Sequence, residues 1–249
     1  MYRLLQGDCL ELMNDIPDKS IDMICCDLPY GVTSLKWDSV LSFDNLWCQY
    51  NRIVKDGGIV TLFSAGNFTI DLITSNRNQL KYRLIWKKNV PTGMASAKYR
   101  PMKYYEEICV FQIGKNYSTY NPILKPRIGK HKECYKYDHY CNSNNHIQLN
   151  KVKKRYEPDY VQPSDVLEFE VVPNRKGKLH PTQKPVELLE WLIKTYTNEN
   201  DLVLDNCMGS GSTGIACINT NRNFIGIELD EKYYKIAKER IENHNDNNE

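Results

Sequence analysis

Apolar positions along this chain come in short bursts, separated by stretches whose apolar residues recur at helical spacing. Ile21-Asp22-Met23-Ile24-Cys25-Cys26 is long enough for a buried strand and too short for a helix. Residues 43–54 set Leu46, Trp47, Tyr50, Ile53 and Val54 on one helical face. Asp56-Gly57-Gly58 reads as a turn before a strand at 59–63, and 82–86 and 108–112 read as two more strands. After Val171 the rhythm resumes: a helix over 185–196, a strand over 202–204, a helix over 212–218, and a strand over 224–227 closed by Glu228. The last helix, 231–241, turns Tyr233, Ile236, Ala237 and Ile241 inward, and the polar end from His244 to Glu249 reads as frayed. Strands alternating with helices predict an α/β fold with a largely parallel sheet.

Between Lys115 and Tyr160 the rhythm breaks. Lys115, Lys125, Arg127, Lys130, Lys132, Lys136, Lys151, Lys153, Lys154 and Arg155 face only Glu133, Asp138, Glu157 and Asp159 there, and branched aliphatics are few. The division expected is a core half at 1–114, an inserted region at 115–170 and a second core half at 171–249. A chain of 249 residues can hold one such core with an insertion.

Composition narrows the setting. No run of roughly 18 apolar residues is present, so no membrane-spanning helix is expected. The first residues lack the apolar stretch of a signal peptide, which points to the cytoplasm. Nine cysteines is an odd number, and Cys25, Cys26, Cys109 and Cys217 sit in apolar runs, as reduced buried thiols do. The net charge of +2 argues for no partner. His131-x-x-Cys134 and His139-x-Cys141, with His146 nearby, fit no common zinc spacing, so no metal is expected. Trp37, Trp47, Trp86 and Trp191 read as core or pocket wall.

Two motifs carry chemistry. Asp27-Leu28-Pro29-Tyr30 ends the first apolar run, which delivers a carboxylate and a phenol ring to a sheet edge, where ligands of open α/β sheets bind. Asp205-Asn206-Cys207-Met208-Gly209-Ser210-Gly211-Ser212-Thr213-Gly214 follows a strand and opens a helix. Its glycines allow a tight turn and close approach, and Ser212 or Thr213 can donate to a ligand. Glu228, ending the next strand, can grip ribose hydroxyls. Gly209-x-Gly211-x-x-Gly214 matches the dinucleotide fingerprint, so a nicotinamide oxidoreductase is a competing reading. Asp205 argues against it: an acid four residues before the first glycine opposes a pyrophosphate and suits a ligand bearing an ammonium and a sulfonium.

These motifs, with Gly7-Asp8-Cys9, His180-Pro181-Thr182-Gln183-Lys184-Pro185 and Ile227-Glu228, stand in the order of the β-class amino-group DNA methyltransferases, and the chain resembles that family over most of its length outside 115–160. The resemblance implies a Rossmann-like S-adenosylmethionine-dependent core with an inserted DNA-recognition region. It implies that Asp27 and the Leu28 carbonyl accept hydrogen bonds from the target amine, with Pro29 stiffening the turn and Tyr30 stacking on a flipped base. It places Asp8, Cys9, Asp205, Cys207, Gly209, Gly211, Ser212, Thr213 and Glu228 around S-adenosylmethionine, with Thr182 and Lys184 at its methionine end. The family's usual Asp-Pro-Pro-Tyr has Leu28 as its second residue here. The carbonyl survives, the locked φ does not, and a looser loop is expected.

The chemistry needs such residues because an exocyclic amine is a poor nucleophile. Two acceptors around its N–H groups direct the nitrogen lone pair at the methyl group, and transfer is direct and in line. An aspartate at the first motif position leans toward adenine N6 in double-stranded DNA; cytosine N4 is the alternative, and a DNA binder without catalysis a more distant one. Within the insertion, Lys125, Arg127, Lys151, Lys153, Lys154 and Arg155 are candidates for phosphate contacts, and Asn142, Asn144, Asn145, His146 and Gln148 for base edges. Lys98, Arg100 and Lys103 form a further candidate DNA-facing loop. The resemblance also allows a homodimer and a cognate restriction endonuclease as partners.

Overall fold

A computed structural model describes residues 1–31, 40–126, 160–173 and 179–246, together with the backbone of 135–141 and 147–153. In chain order the strands are β1 (Tyr2–Gln6), β2 (Ile21–Cys26), β3 (Val54–Ser64), β4 (Leu80–Thr92), β5 (Lys103–Gln112), β6 (Lys125–Pro126), β7 (Tyr135–Cys141), β8 (Ile147–Lys153), β9 (Tyr160–Val161), β10 (Val166–Glu168), β11 (Leu202–Asp205) and β12 (Asn223–Glu228). The α-helices are α1 (Cys9–Leu12), α2 (Phe43–Ile53), α3 (Asn67–Ser75), α4 (Val186–Tyr196), α5 (Ser212–Asn219) and α6 (Glu231–Asp246). Among the described residues, no helix is long and apolar enough to cross a membrane.

The chain divides into two compact units, 1–121 with 164–249, and 122–163. Residues 164–170, and β10 with them, therefore belong with the core rather than with the inserted segment. In the first unit eight strands form one sheet in the order β1-β12-β11-β2-β3-β5-β4-β10. All neighbours run parallel except around β5, which is antiparallel to β3 and β4. The predicted parallel sheet is thus present, with one reversed strand.

This topology makes the site. Because β1, β12, β11 and β2 are consecutive parallel neighbours, their carboxyl ends lie along one edge. Register sets Gln6 opposite Glu228 and Asp205 opposite Gly226, while Asp27 follows the last residue of β2. Core-facing Leu46, Trp47, Tyr50 and Ile53 of α2 are all buried, as their spacing predicts. In α6 only Ala237 and Ile241 are buried; Tyr233 and Ile236 are half-buried. That helix continues to Asp246, where a frayed end was expected from His244, and His244 Nε2 lies 2.6 Å from Asn219 Oδ1.

The predicted turn at Asp56-Gly57-Gly58 is instead an irregularity inside β3, whose pairing jumps from Ile21↔Val54 to Met23↔Ile59. The extra residues bulge outward, a common device for bending a strand without ending it. Gly57 has φ +90° and donates its N–H to the Ile113 carbonyl at 2.7 Å. A Cβ added there would come within 2.5 Å of the Tyr117 carbonyl oxygen. Gly57→Ala therefore combines left-handed strain with a backbone clash and is expected to cost about 2–4 kcal/mol, read as a lowered urea midpoint with an unchanged slope.

The second unit contains an antiparallel hairpin, β7 with β8, in register from Tyr135↔Lys153 to Cys141↔Ile147, and a short antiparallel pair, β6 with β9. Its strands use the Tyr, Ile, Leu and Val residues that the basic segment does contain.

Candidate active site

Asp27 emerges from β2 with both carboxylate oxygens engaged. Oδ1 accepts from the Tyr30 hydroxyl at 2.8 Å, and Oδ2 accepts from the Lys184 ammonium. Burial raises the Asp27 pKa above the ordinary carboxylate value, although Lys184 favours the ionised form. Tyr30 rests one face on Phe68, with ring centroids 4.6 Å apart and planes 27° from parallel. Burial, with Asp27 alongside, pushes the Tyr30 pKa up and keeps its hydroxyl a donor. Leu28 is 3% exposed and packs in the main hydrophobic cluster. Side-chain anchoring thus restrains the loop that lacks the second proline ring.

Behind Asp27 lies a buried alternation of charges. Lys184 Nζ is 3.5 Å from Glu106 Oε2, and Lys88 Nζ is 3.0 Å from Glu106 Oε1. Burial opposes the charge on Lys184, yet Asp27 and Glu106 hold its pKa above the ordinary lysine value. Burial likewise opposes ionisation of Glu106, but Lys184 and Lys88 pull its pKa down. Lys184 Nζ also sits 4.9 Å from the centre of the Phe63 ring. Sequence reasoning found Lys184 and missed Glu106 and Lys88, which sit on β5 and β4 among alternating polar and apolar residues.

The glycine loop follows β11. Asp205 is 4% exposed; it accepts from the Cys207 N–H at 3.1 Å and the Thr213 hydroxyl at 2.6 Å. Burial pushes its pKa up to about 6. Glu228 accepts from the Gly209 N–H at 2.8 Å and the Asp230 N–H at 2.9 Å, which binds the β12 end to the loop. Burial raises its pKa as well. Asp8 caps α1 by accepting from the Leu10 N–H at 2.8 Å. Gly211 has φ +75°, and a Cβ there would meet Ile241 Cδ1 at 2.9 Å, so the loop and α6 can close together only over glycine. Arg240 of α6 donates to the Ser210 carbonyl and the Ser212 hydroxyl, each at 3.0 Å. His180 meets Tyr233 edge-on at 4.2 Å and lies 3.1 Å from the Thr182 hydroxyl through Nδ1. Arg240 and Tyr233 carry no motif and were not singled out from sequence. Mutual hydrogen bonding raises the Cys9 and Cys207 pKa values and burial raises that of Cys26, so these thiols are packing groups behind the loop rather than nucleophiles.

Both motifs line one cavity of about 780 Å³. Its walls bring together Asp8, Cys9, Asp27, Leu28, Pro29, Tyr30, Thr182, Lys184, Asp205, Cys207, Gly209, Ser212, Thr213 and Glu228, while Gly211 lies beneath the loop. Asp8, Asp27, Asp205 and Glu228 give the walls a carboxylate-rich lining. Such a set suits a ligand with cationic centres and hydroxyl groups, and it opposes the pyrophosphate of a nicotinamide dinucleotide. A nucleoside bearing an ammonium and a sulfonium therefore fits the residues present.

The other sequence candidates divide differently. Lys125 is exposed on β6. Lys151, Lys153 and Gln148 lie on β8, and His139 and Cys141 on β7, described as backbone. Arg127, Lys154, Arg155, Asn142, Asn144, Asn145, His131, Cys134, His146 and Trp37 lie outside the described residues. Lys98, Arg100 and Lys103 are exposed between β4 and β5, and Trp47, Trp86 and Trp191 are buried.

A family model for N6/N4 methyltransferases, described as DNA methylase, matches residues 21–239. The chain is 29% identical over 267 residues to the type II methyltransferase M2.MboI of Moraxella bovis, covering 96% of this chain and 87% of that protein. It is 28% identical over 255 residues to the DNA adenine methyltransferase YhdJ of Escherichia coli (strain K12), covering 96% and 82%. Among solved structures, the M1.HpyAVI–SAM complex aligns at TM-score 0.66 and 26% identity, covering 97% of this chain and 99% of that one. The cytosine-N4-specific PvuII DNA methyltransferase aligns at TM-score 0.66 and 15% identity, covering 98% and 91%, a likeness of fold.

Proposed function

Because the chain belongs to the N6/N4 DNA methylase family, we propose that it methylates the N6 amine of adenine at a specific site in double-stranded DNA. It is a DNA methyltransferase that uses S-adenosylmethionine. The observation that carries the adenine reading is an aspartate at the end of β2, in the cavity shared with the glycine loop. In the family it resembles, that position leans toward adenine when it holds Asp and toward cytosine when it holds Ser. The 28% identity to a protein named a DNA adenine methyltransferase supports the same choice.

In this reading Asp205, Glu228, Asp8 and the loop from Cys207 to Thr213 hold the cofactor. Bound there, S-adenosylmethionine supplies a methyl group made electrophilic by its sulfonium. The residues of the chain do the rest by position and charge. Asp27 and the Leu28 carbonyl accept the two N–H groups of the target amine and aim its lone pair. Tyr30 covers the base, which must leave the duplex to reach the cavity. Asp27, whose pKa burial raises, is placed to take the proton that the amine loses as the C–N bond forms. Recognition falls to the unit at 122–163, with Lys125, Arg127, Lys151, Lys153, Lys154 and Arg155 on phosphates.

The test is transfer of labelled methyl from S-adenosylmethionine to duplex DNA, followed by digestion to nucleosides. N6-methyladenine is the expected product. N4-methylcytosine as the labelled nucleoside would overturn the base assignment and keep the reaction class.

A further inference from the structure

An acceptor that is already occupied cannot take a new donor. Both oxygens of Asp27 are engaged, Oδ1 by Tyr30 and Oδ2 by Lys184. The target amine therefore has to displace a partner, and a buried ammonium is not released unless another acceptor takes it, because an unpaired buried charge is strongly destabilising. Glu106 stands ready. Its Oε1 is held by Lys88 at 3.0 Å. Its Oε2 is buried, without a hydrogen-bond partner among the described residues, and lies 3.5 Å from Lys184 Nζ. A displacement of well under an ångström, within the reach of a four-carbon side chain, brings that ammonium into hydrogen-bond range of Oε2.

We propose that Lys184 moves from Asp27 to Glu106 as the target base enters, so that Glu106 is a positioning residue that frees an Asp27 oxygen for the amine. The inference rests on the role given to Asp27 above. Charge is conserved throughout: Asp27 and Glu106 share Lys184 and Lys88 before and after the move, and only the hydrogen-bond partner changes. Lys88 holds the Glu106 carboxylate in place, with its side chain 3% exposed, and Trp86 flanks it, the Lys88 Nζ lying 5.8 Å from that ring's centre. The arrangement explains why a carboxylate oxygen is left half-satisfied in the resting site, since native proteins rarely leave a buried polar atom without a partner.

Glu106→Gln tests it. The amide keeps the shape and a neutral acceptor but no longer competes with Asp27 for the ammonium, so Lys184 stays where it is. The expected result is a fall in kcat of about 10–100-fold, with the KM for S-adenosylmethionine and the affinity for S-adenosylhomocysteine unchanged within about 2-fold. Glu106→Asp, which restores the anion, recovers part of the loss. In a Lys184→Gln background there is no ammonium to relocate, and adding Glu106→Gln should cost less than about 3-fold more. If Glu106→Gln fails to fold, Lys184→Arg takes its place: a guanidinium that bridges both carboxylates cannot exchange between them, and kcat should fall with cofactor affinity kept. A kcat within 2-fold of wild type, or an equal loss from Glu106→Gln in both backgrounds, overturns the exchange. Wild-type turnover on DNA tests the reaction itself, so the two readings fail separately.

Discussion

Asp27→Ala is expected to lower kcat for methyl transfer by about 10³-fold, as removal of a preorganised partner of the reacting group does. The size of the effect follows from what the carboxylate does. It accepts from the amine only when the base is in the cavity, and its demand on the N–H bond grows as the nitrogen becomes tetrahedral, so the interaction belongs to the transition state. Binding should be spared. Duplex contacts are assigned to other residues, and the cofactor loop is held by Asp205, Glu228 and Arg240, none of which depends on Asp27 for its hydrogen bonds. The fold should survive too, because Lys184 keeps Glu106 at 3.5 Å and is not left as an uncompensated buried ammonium. Single-turnover transfer of labelled methyl, measured beside duplex affinity by fluorescence anisotropy, separates the effects. Unchanged turnover would remove Asp27 from its assigned role, and loss of duplex and cofactor binding together would make it a folding residue instead.

The parts of this site that were legible in the sequence share one property: their signal is local. The β2 strand is buried along its length, so it reads as a continuous apolar run, and Asp27 is conspicuous as the polar residue that ends it. The glycine loop and Glu228 stand immediately after β11 and at the end of β12, where strand ends carry ligand contacts. What was not legible arises from pairing distant segments. Glu106 and Lys88 look like ordinary polar positions of an alternating strand until β4 and β5 pair antiparallel, with Trp86 opposite Glu106, and turn both side chains inward. Asp27 and Lys184 are 157 residues apart in sequence, so nothing local links them. The missed α3 is short and carries β-branched Thr69, Ile70, Ile73 and Thr74, and the missed β1 is only half-buried along the sheet edge, so tertiary contacts rather than local preference define them. The Asp56-Gly57-Gly58 bulge shows the converse: a strong turn signal was absorbed into a longer strand because the pairing on both sides of it continues.

Asp205→Asn is expected to move stability and cofactor affinity in opposite directions. Burial holds the Asp205 pKa at about 6, above its ordinary 3.8, so the folded protein binds this proton more tightly than the unfolded chain does. The sign follows. The contribution to stability is full below the ordinary value, declines as pH rises from 3.8 to about 6, and above that the empty protein bears the whole cost of an ionised buried carboxylate. At 1.36 kcal/mol per pKa unit that cost is on the order of 2–3 kcal/mol. Asparagine removes the charge and keeps one acceptor for the Cys207 N–H or the Thr213 hydroxyl, so part of the cost is recovered. Urea unfolding at pH 8 should show the variant more stable by about 1–2 kcal/mol, and the gain should vanish near pH 4, where wild-type Asp205 is protonated. Cofactor binding should respond in the other direction, because a buried carboxylate facing a cationic ligand is worth about 1.5–3 kcal/mol more than a neutral amide. Calorimetric titration with S-adenosylhomocysteine should therefore give an affinity about 10–100-fold weaker. A purely structural aspartate predicts lower stability at pH 8 with unchanged affinity. The carboxylate at the end of β11 is a local instability retained for the ligand it holds, and finding both signs in one variant is what distinguishes that account from the structural one.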